Sequence, residues 1–360
     1  MTSNTLFKAK VQSLTITIPV FLFLAACHDN GPRDKPYISF KDIPGENRIE
    51  VLYDEQLFTA YIYPDELAKP VLFPVNSANN NPVTRGYPLD PRPGERSDHP
   101  HQVGHWFNYG DVNGLDFWNN RGNIPEEEKD RYGYIEHSDL LRMDSGKGKG
   151  ELVVSALWKN YRDDTILTEN TTFVFSSQED TRIIDRVTTL TAGDEDVLFR
   201  DNKEGMVAVR VARELELPGD NPEQVTGSDG SIVEAGPDYQ EGITGNYLSS
   251  RGQEGHDVWG KRAEWVVLSG IIDGNDVALA IIDHPDNPGY PAYWHARGYG
   301  LFSANPLGQE VFSEGREALN FNLPAGESVT FRYRILVHSG SSLSADEINY
   351  YADDFGRHIL

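Results

Sequence analysis

The chain has 360 residues, with 56 Asp and Glu against 32 Lys and Arg and a formal charge of −24. That balance argues against a nucleic-acid partner, because little here would displace counterions from a phosphate backbone. Apolar residues make up 38% and charged residues 24%, which excludes a disordered chain. A single cysteine, Cys27, excludes an intramolecular disulfide and a thiolate zinc cluster.

Cys27 ends an unusual N-terminus. Lys8 and Lys10 supply positive charge with no acid before Asp29, and Leu14 to Ala26 is apolar apart from two threonines. Thirteen residues span roughly 20 Å as a helix, short of the about 30 Å of a bilayer core. The pattern therefore predicts a secretory signal over 1–26. Its ending, Leu24-Ala25-Ala26-Cys27, resembles the bacterial lipobox, which implies lipidation at Cys27. Residues 27–36 read as a lipidated tether, and 37–360 as one domain. Cleavage would remove only Lys8 and Lys10 of the charged residues, leaving the rest more acidic. The expected address is the bacterial cell envelope, with the chain held at the outer membrane or surface through its lipid.

Beyond the tether, period-two alternation dominates. Strands are expected at 48–54, 57–63, 70–75, 166–177, 196–200, 206–216, 263–272 and 276–283. Leu152, Val154, Ala156 and Trp158 share one face of another strand, as do Ile183, Asp185, Val187 and Thr189. Val329, Phe331, Tyr333, Ile335 and Val337 alternate with Thr330, Arg332 and Arg334 in the clearest case. Only the tail reads as a helix, over 344–355, with Ser344 and Glu347 as a capping box and Ile348 and Tyr351 facing inward. The fold class expected is all-β: a large antiparallel β-sandwich with a short C-terminal helix. Two irregular stretches, 76–132 and 217–262, interrupt it, and loops that long are usually functional or disordered.

The first stretch holds His99, His101, His105, Trp106, Phe107, Phe117 and Trp118 within 22 residues. On an extended backbone His99 and His101 face the same side, which suits an acid/base pair or a divalent metal. A metal would need a third ligand such as His105, His137 or Glu204. Asp98 is placed to hold a neighbouring imidazole in one tautomer. A second cluster, Asp201 to Arg210, sets Lys203 beside Glu204, with Gly205 permitting a bulge. The third, Asp283 to Pro306, contains His284, Trp294, His295, Arg297 and Tyr299. Aromatic rings interleaved with His and Arg suit a sugar, whose C–H faces stack on rings while its hydroxyls bind polar groups.

These segments together resemble a bacterial family of unknown function labelled PmoA-like. The resemblance rests on Pro82-Val83-Thr84-Arg85, Asp98-His99-Pro100-His101, Gly104-His105-Trp106-Phe107, Gly110-Asp111-Val112-Asn113-Gly114 and Asp116-Phe117-Trp118. It continues in Lys203-Glu204-Gly205, Arg210-Val211-Ala212, Asp283-His284-Pro285, Trp294-His295-Ala296-Arg297, Tyr299-Gly300-Leu301-Phe302 and Ala304-Asn305-Pro306. Gln102-Val103 departs from the family's usual His-Arg. The resemblance implies a sandwich similar to the galactose mutarotase supersandwich and an association with saccharide breakdown.

The expectation is an envelope lipoprotein acting on a carbohydrate by acid-base chemistry, as a lyase, epimerase or glycoside-cleaving enzyme. His99, His101, His137, Glu204 and His295 are the candidate catalytic residues. Arg85, His105, Trp106, Lys203, Arg210, His284, Trp294, Arg297 and Tyr299 are the candidates for binding substrate. A non-catalytic glycan-binding lipoprotein and a metal-dependent enzyme using the His99/His101 pair are the alternatives.

Overall fold

Two large antiparallel sheets stacked face to face build the molecule, a computed structural model that describes residues 1–2 and 34–357. Cys27 and the predicted signal therefore lie outside the described residues, and one compact unit begins at Lys35. Among the described residues, one sheet has nine strands. Its order is Tyr293–Ala296, Leu301–Asn305, Val207–Arg210, His105–Phe107, Val71–Val75, Gln56–Ile62, Arg48–Tyr53, Tyr37–Ile43 and Gly146–Lys147. The other has eight: Asn246–Ser249, Trp265–Ile272, Asn275–Asp283, Ser328–Ser339, Thr181–Ala192, Thr165–Gln178, Lys149–Asn160 and Gly133–Asp144.

The alternation legible in the sequence sets which side of each strand is buried between the sheets. Leu152, Val154, Ala156 and Trp158 pack there with Phe331, Tyr333, Ile335 and Val337. The nine-stranded sheet meets them with Phe58, Leu72, Phe107, Val207 and Val209. Phe107 lies across Trp158 and Phe331, with ring centroids 6.3 and 5.8 Å apart. Full burial of such side chains stabilises by about 1.5–3 kcal/mol each. One ion pair is sealed inside this layer: Arg186 binds Glu169 at 2.9 Å, and Glu169 also accepts from Trp158 Nε1 and Thr171 Oγ1.

The outer face of the eight-stranded sheet is closed by the C-terminal helix, Ala345–Arg357. The capping box forms as read: Glu347 N–H donates to Ser344 Oγ, and Ser344 N–H donates to the Glu347 carboxylate at 2.8 Å. Ile348, Tyr351 and Phe355 are buried against Trp265, Ala280 and Leu336. On the outer face of the nine-stranded sheet, the short helix Gln309–Phe312 sets Phe312 6.0 Å from His295, and the turn carrying His99 lies against Tyr299.

Both irregular stretches are ordered by short strands the alternation did not show. His105–Phe107 lies within the first, and Gln224–Thr226, Ile232–Glu234 and Asn246–Ser249 within the second. The strand expected over 206–216 is shorter, Val207–Arg210, and gives way to a 3-10 turn at Arg213–Leu215.

Candidate active site

Strand register decides which predicted residues share a face. His295 pairs with Ser303, Ser303 with Ala208, and Ala208 with Trp106. Paired residues point to the same side, so this row lies on the outer face of the nine-stranded sheet. The neighbouring row, Trp294, Ala304, Val207 and Phe107, points between the sheets. Trp294 is thus a core residue, its Nε1 donating to the Ala263 carbonyl at 3.0 Å. His105 turns inward likewise and is 1% exposed, with Nδ1 3.1 Å from the Ala208 carbonyl. Burial and the nearby Arg186 push its pKa down to about 3. Neither Trp294 nor His105, both read from the sequence as candidates for binding substrate, reaches the outer face.

His99 and His101 do converge, though not on an extended backbone. His99 has φ +45°, in the left-handed region, and the Gln102 N–H donates to its carbonyl at 3.0 Å, closing a turn. The two imidazoles meet edge to face at 5.7 Å, and His99 lies flat on Tyr299, at 5.0 Å and 2°. His99 Nδ1 is 3.2 Å from Asp98 Oδ2. Burial alone would raise the Asp98 carboxyl; the His99 hydrogen bond and the charges of Arg210 and Arg85 hold it well below the usual range.

Arg85 and Arg210, read as substrate-binding, are enclosed, at 1% and 0% exposed. Their terminal nitrogens are taken up by protein acceptors. Arg85 donates to the carbonyls of Arg96, Asp98, His99 and Gln102 and to Asp98 Oδ1. Arg210 donates to Asp98 Oδ1 at 2.7 Å and to Gln102 Oε1 at 2.6 Å, and lies over Tyr299 at 4.8 Å. Gln102 in turn contacts the Tyr299 hydroxyl. The contacts close a circuit: His99, Asp98, Arg210, Gln102, Tyr299 and back to His99. It fixes the ring plane of His99 and leaves Nε2 as its outward nitrogen. The departure at Gln102 thus has a structural role. Gly104 seats the turn against the sheet, because at φ +58° a Cβ there would stand 2.2 Å from the Leu72 carbonyl oxygen.

Across the face, Glu204 is held by its neighbours. Its N–H donates to Asn202 Oδ1, and its carboxylate accepts from Asn119 Nδ2 at 2.6 Å. Asn119 also donates to Asp116 at 2.8 Å. Burial pushes both carboxyls up, Glu204 with Asp116 as a repelling neighbour. Lys203 Nζ stands 4.0 Å from Glu204 and is half exposed. His295, 5% exposed, is hydrogen-bonded to the Lys203 backbone. Burial, with Arg297 and Lys203 nearby, lowers its pKa to about 3; burial and Lys69 lower that of His101 to about 2. Both imidazoles are therefore neutral near pH 7. His295 Nδ1, His101 Nε2 and Trp106 Nε1 have no hydrogen-bond partner among the described residues, which is unusual for buried polar atoms.

Lys69 was not legible as a site residue. It is 4% exposed, donates to the His101 carbonyl at 2.8 Å and lies over the Trp106 ring at 5.6 Å. Burial lowers its pKa to about 7. Trp106 itself is fully buried against Trp118. The exposed rings near the site are Tyr299 in part and Trp259, both under the Arg297 guanidinium at 5.7 and 5.8 Å.

His137 and His284 lie elsewhere. His137 belongs to the edge strand Gly133–Asp144 and packs on Tyr63 at 3.9 Å, with Tyr61 Oη 3.2 Å from its Nδ1. His284 is 3% exposed and packs edge to face on Phe355 of the C-terminal helix, on the opposite outer face. No group of three His, Cys, Asp or Glu set to hold a metal occurs among the described residues, so the His99/His101 pair finds no third ligand there. A polar cleft of about 810 Å³, lined by Asn113, Glu126, Tyr161 and Asp194 among others, includes none of these histidines. Its lining carries Glu126, Asp130, Asp164, Asp194 and Glu195 with Lys129 and Arg162, whereas the histidines read as site residues gather on the outer sheet face.

Fold and site together define an antiparallel β-sandwich protein with a face lined by histidine and carboxylate. The chain belongs to the family of unknown function DUF6807, which it matches over residues 48–353. No curated protein matches it. Among solved structures it is similar to the galactosidase domain of the α-galactosidase–sucrose kinase AgaSK, at 10% identity and TM-score 0.43, over 85% of this chain and 42% of that one. It is also similar to an α-galactosidase from Geobacillus stearothermophilus, at 12% identity and TM-score 0.37, over 80% of this chain and 40% of that one. A galactose 1-epimerase from Lactobacillus acidophilus matches at 8% identity and TM-score 0.35, over 86% of this chain and 100% of that one. The chain thus spans about two-fifths of the galactosidases and the whole of the epimerase.

Proposed function

We propose that the outer face of the nine-stranded sheet is a carbohydrate site that performs acid-base chemistry at a sugar ring. One observation carries the reading: His99 and His101 from one turn, Glu204 from a second segment and His295 from a third meet on that face beside Arg297, Tyr299 and Trp259. In this scheme His99, oriented through Nδ1 by Asp98, takes a proton at Nε2. Glu204, its carboxyl raised by burial, gives one to the oxygen on the other side of the reacting carbon. Lys203 and Arg297 offset the negative charge that develops. His101 and His295, held neutral, line the face without adding charge to it, each keeping a buried nitrogen with no partner among the described residues. Epimerisation, elimination and glycoside cleavage all use such a pair.

The test is turnover on a saccharide panel read three ways: anomer exchange of glucose and galactose, cleavage of aryl glycosides, and unsaturated products from oligogalacturonides. His99→Gln should lower kcat by about 10²–10⁴-fold on whichever substrate the native protein processes. Unchanged kcat would sink the acid-base role, and binding without turnover in the native protein would favour the glycan-binding alternative.

We also propose that this site works at the cell envelope, with Cys27 as the lipid anchor and the PmoA-like motifs as the parts that build the site. The short apolar segment ending in Leu24-Ala25-Ala26-Cys27 supports the anchor. Cys27→Ser should move the protein from the membrane fraction to the soluble one and abolish fatty-acid labelling; continued labelling would contradict it.

A further inference from the structure

Charge on the site face runs against the charge of the chain. In a protein of −24, the basic groups near His101 and His295 are Lys69, whose charged form burial disfavours, Lys203, Arg297 and the buried pair Arg85 and Arg210. Against them stand Asp98, Asp116 and Glu204, with Glu216 paired to Arg96 and Asp220 beside Gly298. Asp98 answers two guanidinium groups, at 3.0 and 2.7 Å, with Glu95 and Glu216 near Arg85 and Glu216 near Arg210 as well. Burial pushes the carboxyls of Asp116 and Glu204 toward the neutral form.

Arg297 is the exposed member of this set. It follows His295 by two residues, at the end of the Tyr293–Ala296 strand, and its guanidinium lies near the rings of both Trp259 and Tyr299. Arg92, Arg96, Arg210 and Arg334 each hold a carboxylate within 3 Å; no carboxylate lies within ion-pair distance of Arg297 among the described residues. The backbone of Leu217 fixes the turn beneath it by donating to the Gly298 carbonyl at 2.9 Å. A planar cation set against aromatic rings, with its N–H fork unused, matches the two oxygens of a carboxylate. Beside it His295, 95% buried and hydrogen-bonded to the Lys203 backbone, keeps a buried Nδ1 with no partner among the described residues.

We propose that the site takes a sugar bearing a carboxylate, a uronate, with Arg297 as the residue that binds the carboxylate and Lys203 as the charge on the other side of His295. This rests on the carbohydrate reading above and narrows it to a substrate class.

Isothermal titration of the native protein with galacturonate and glucuronate, against galactose, glucose and glucose 6-sulfate, tests it. The uronates should bind at least about tenfold more tightly than the neutral sugars, the value of one good charge-assisted contact. Arg297→Gln should bring that ratio close to one, and Arg297→Lys should keep part of it; circular dichroism establishes that both variants are folded. Equal affinity for acidic and neutral sugars, or an undiminished ratio in Arg297→Gln, would overturn the proposal and leave the carbohydrate reading standing. Sulfate bound as tightly as uronate would overturn the assignment to carboxylate. If no sugar of either class binds, the carbohydrate reading falls and this proposal with it.

Discussion

Lys69 shows how a single side chain can be set by surroundings that sequence spacing does not reveal. Its ammonium is buried between the His101 carbonyl and the Trp106 ring, so the charged form is disfavoured and its pKa falls to about 7. The unfolded chain holds that proton up to about pH 10.4. Between about pH 7 and 10 the unfolded state therefore binds more protons, and this group's contribution to stability rises with pH. Lys69→Met removes the dependence: its gain in stability over the native protein should be larger at pH 6 than at pH 9, by about 2 kcal/mol. Urea unfolding at the two pH values measures it, and an equal gain at both would show that Lys69 is not buried as a strained cation. Nothing in Ala68-Lys69-Pro70 signals this, because a lone lysine before a strand looks like any solvated one. His99, by contrast, was legible. Three histidines among aromatic residues mark a site, and only the turn geometry that brings two of them together had to come from the structure.

At the scale of elements, the loop carrying His99 is tied to the long loop after Val207–Arg210 by a buried ion pair. Arg96 donates to Glu216 at 2.7 Å and to the Asp220 carbonyl, and the Tyr239 hydroxyl donates to the same carboxylate oxygen. Burial raises the Glu216 carboxyl against the pull of Arg96. Breaking a buried pair from one side leaves an uncompensated charge and costs about 3–5 kcal/mol. Glu216→Gln should therefore lower stability by that order in chemical denaturation. It should also reduce turnover through the His99 turn, whereas Glu195→Gln, far from the network, should do neither. A loss below about 1 kcal/mol would mean the two loops do not depend on this contact. The long strands were legible because one buried face forces strict alternation. His105–Phe107 and Tyr293–Ala296 were not, because both of their faces are covered and alternation vanishes. That is also why Trp294 and His105 were read with Trp106 as substrate-binding: in a strand buried on both sides, sequence does not say which side faces the ligand.

The molecule as a whole is asymmetric in its two outer faces. The eight-stranded sheet hides its outer face under the Ala345–Arg357 helix, and His284 is sealed there against Phe355. The nine-stranded sheet keeps its outer face under loops that bring polar groups, and there the neutral histidines, the raised carboxyl of Glu204 and the unpaired Arg297 gather. Side-chain NMR of protein labelled with nitrogen-15 histidine, titrated with galacturonate and galactose, distinguishes the two faces. The ring signals of His99, His101 and His295 should shift with a saturable dependence on sugar, while those of His105, His137 and His284 stay in place. Shifts confined to His137 or His284, or no shift with any sugar, would contradict this division of the faces.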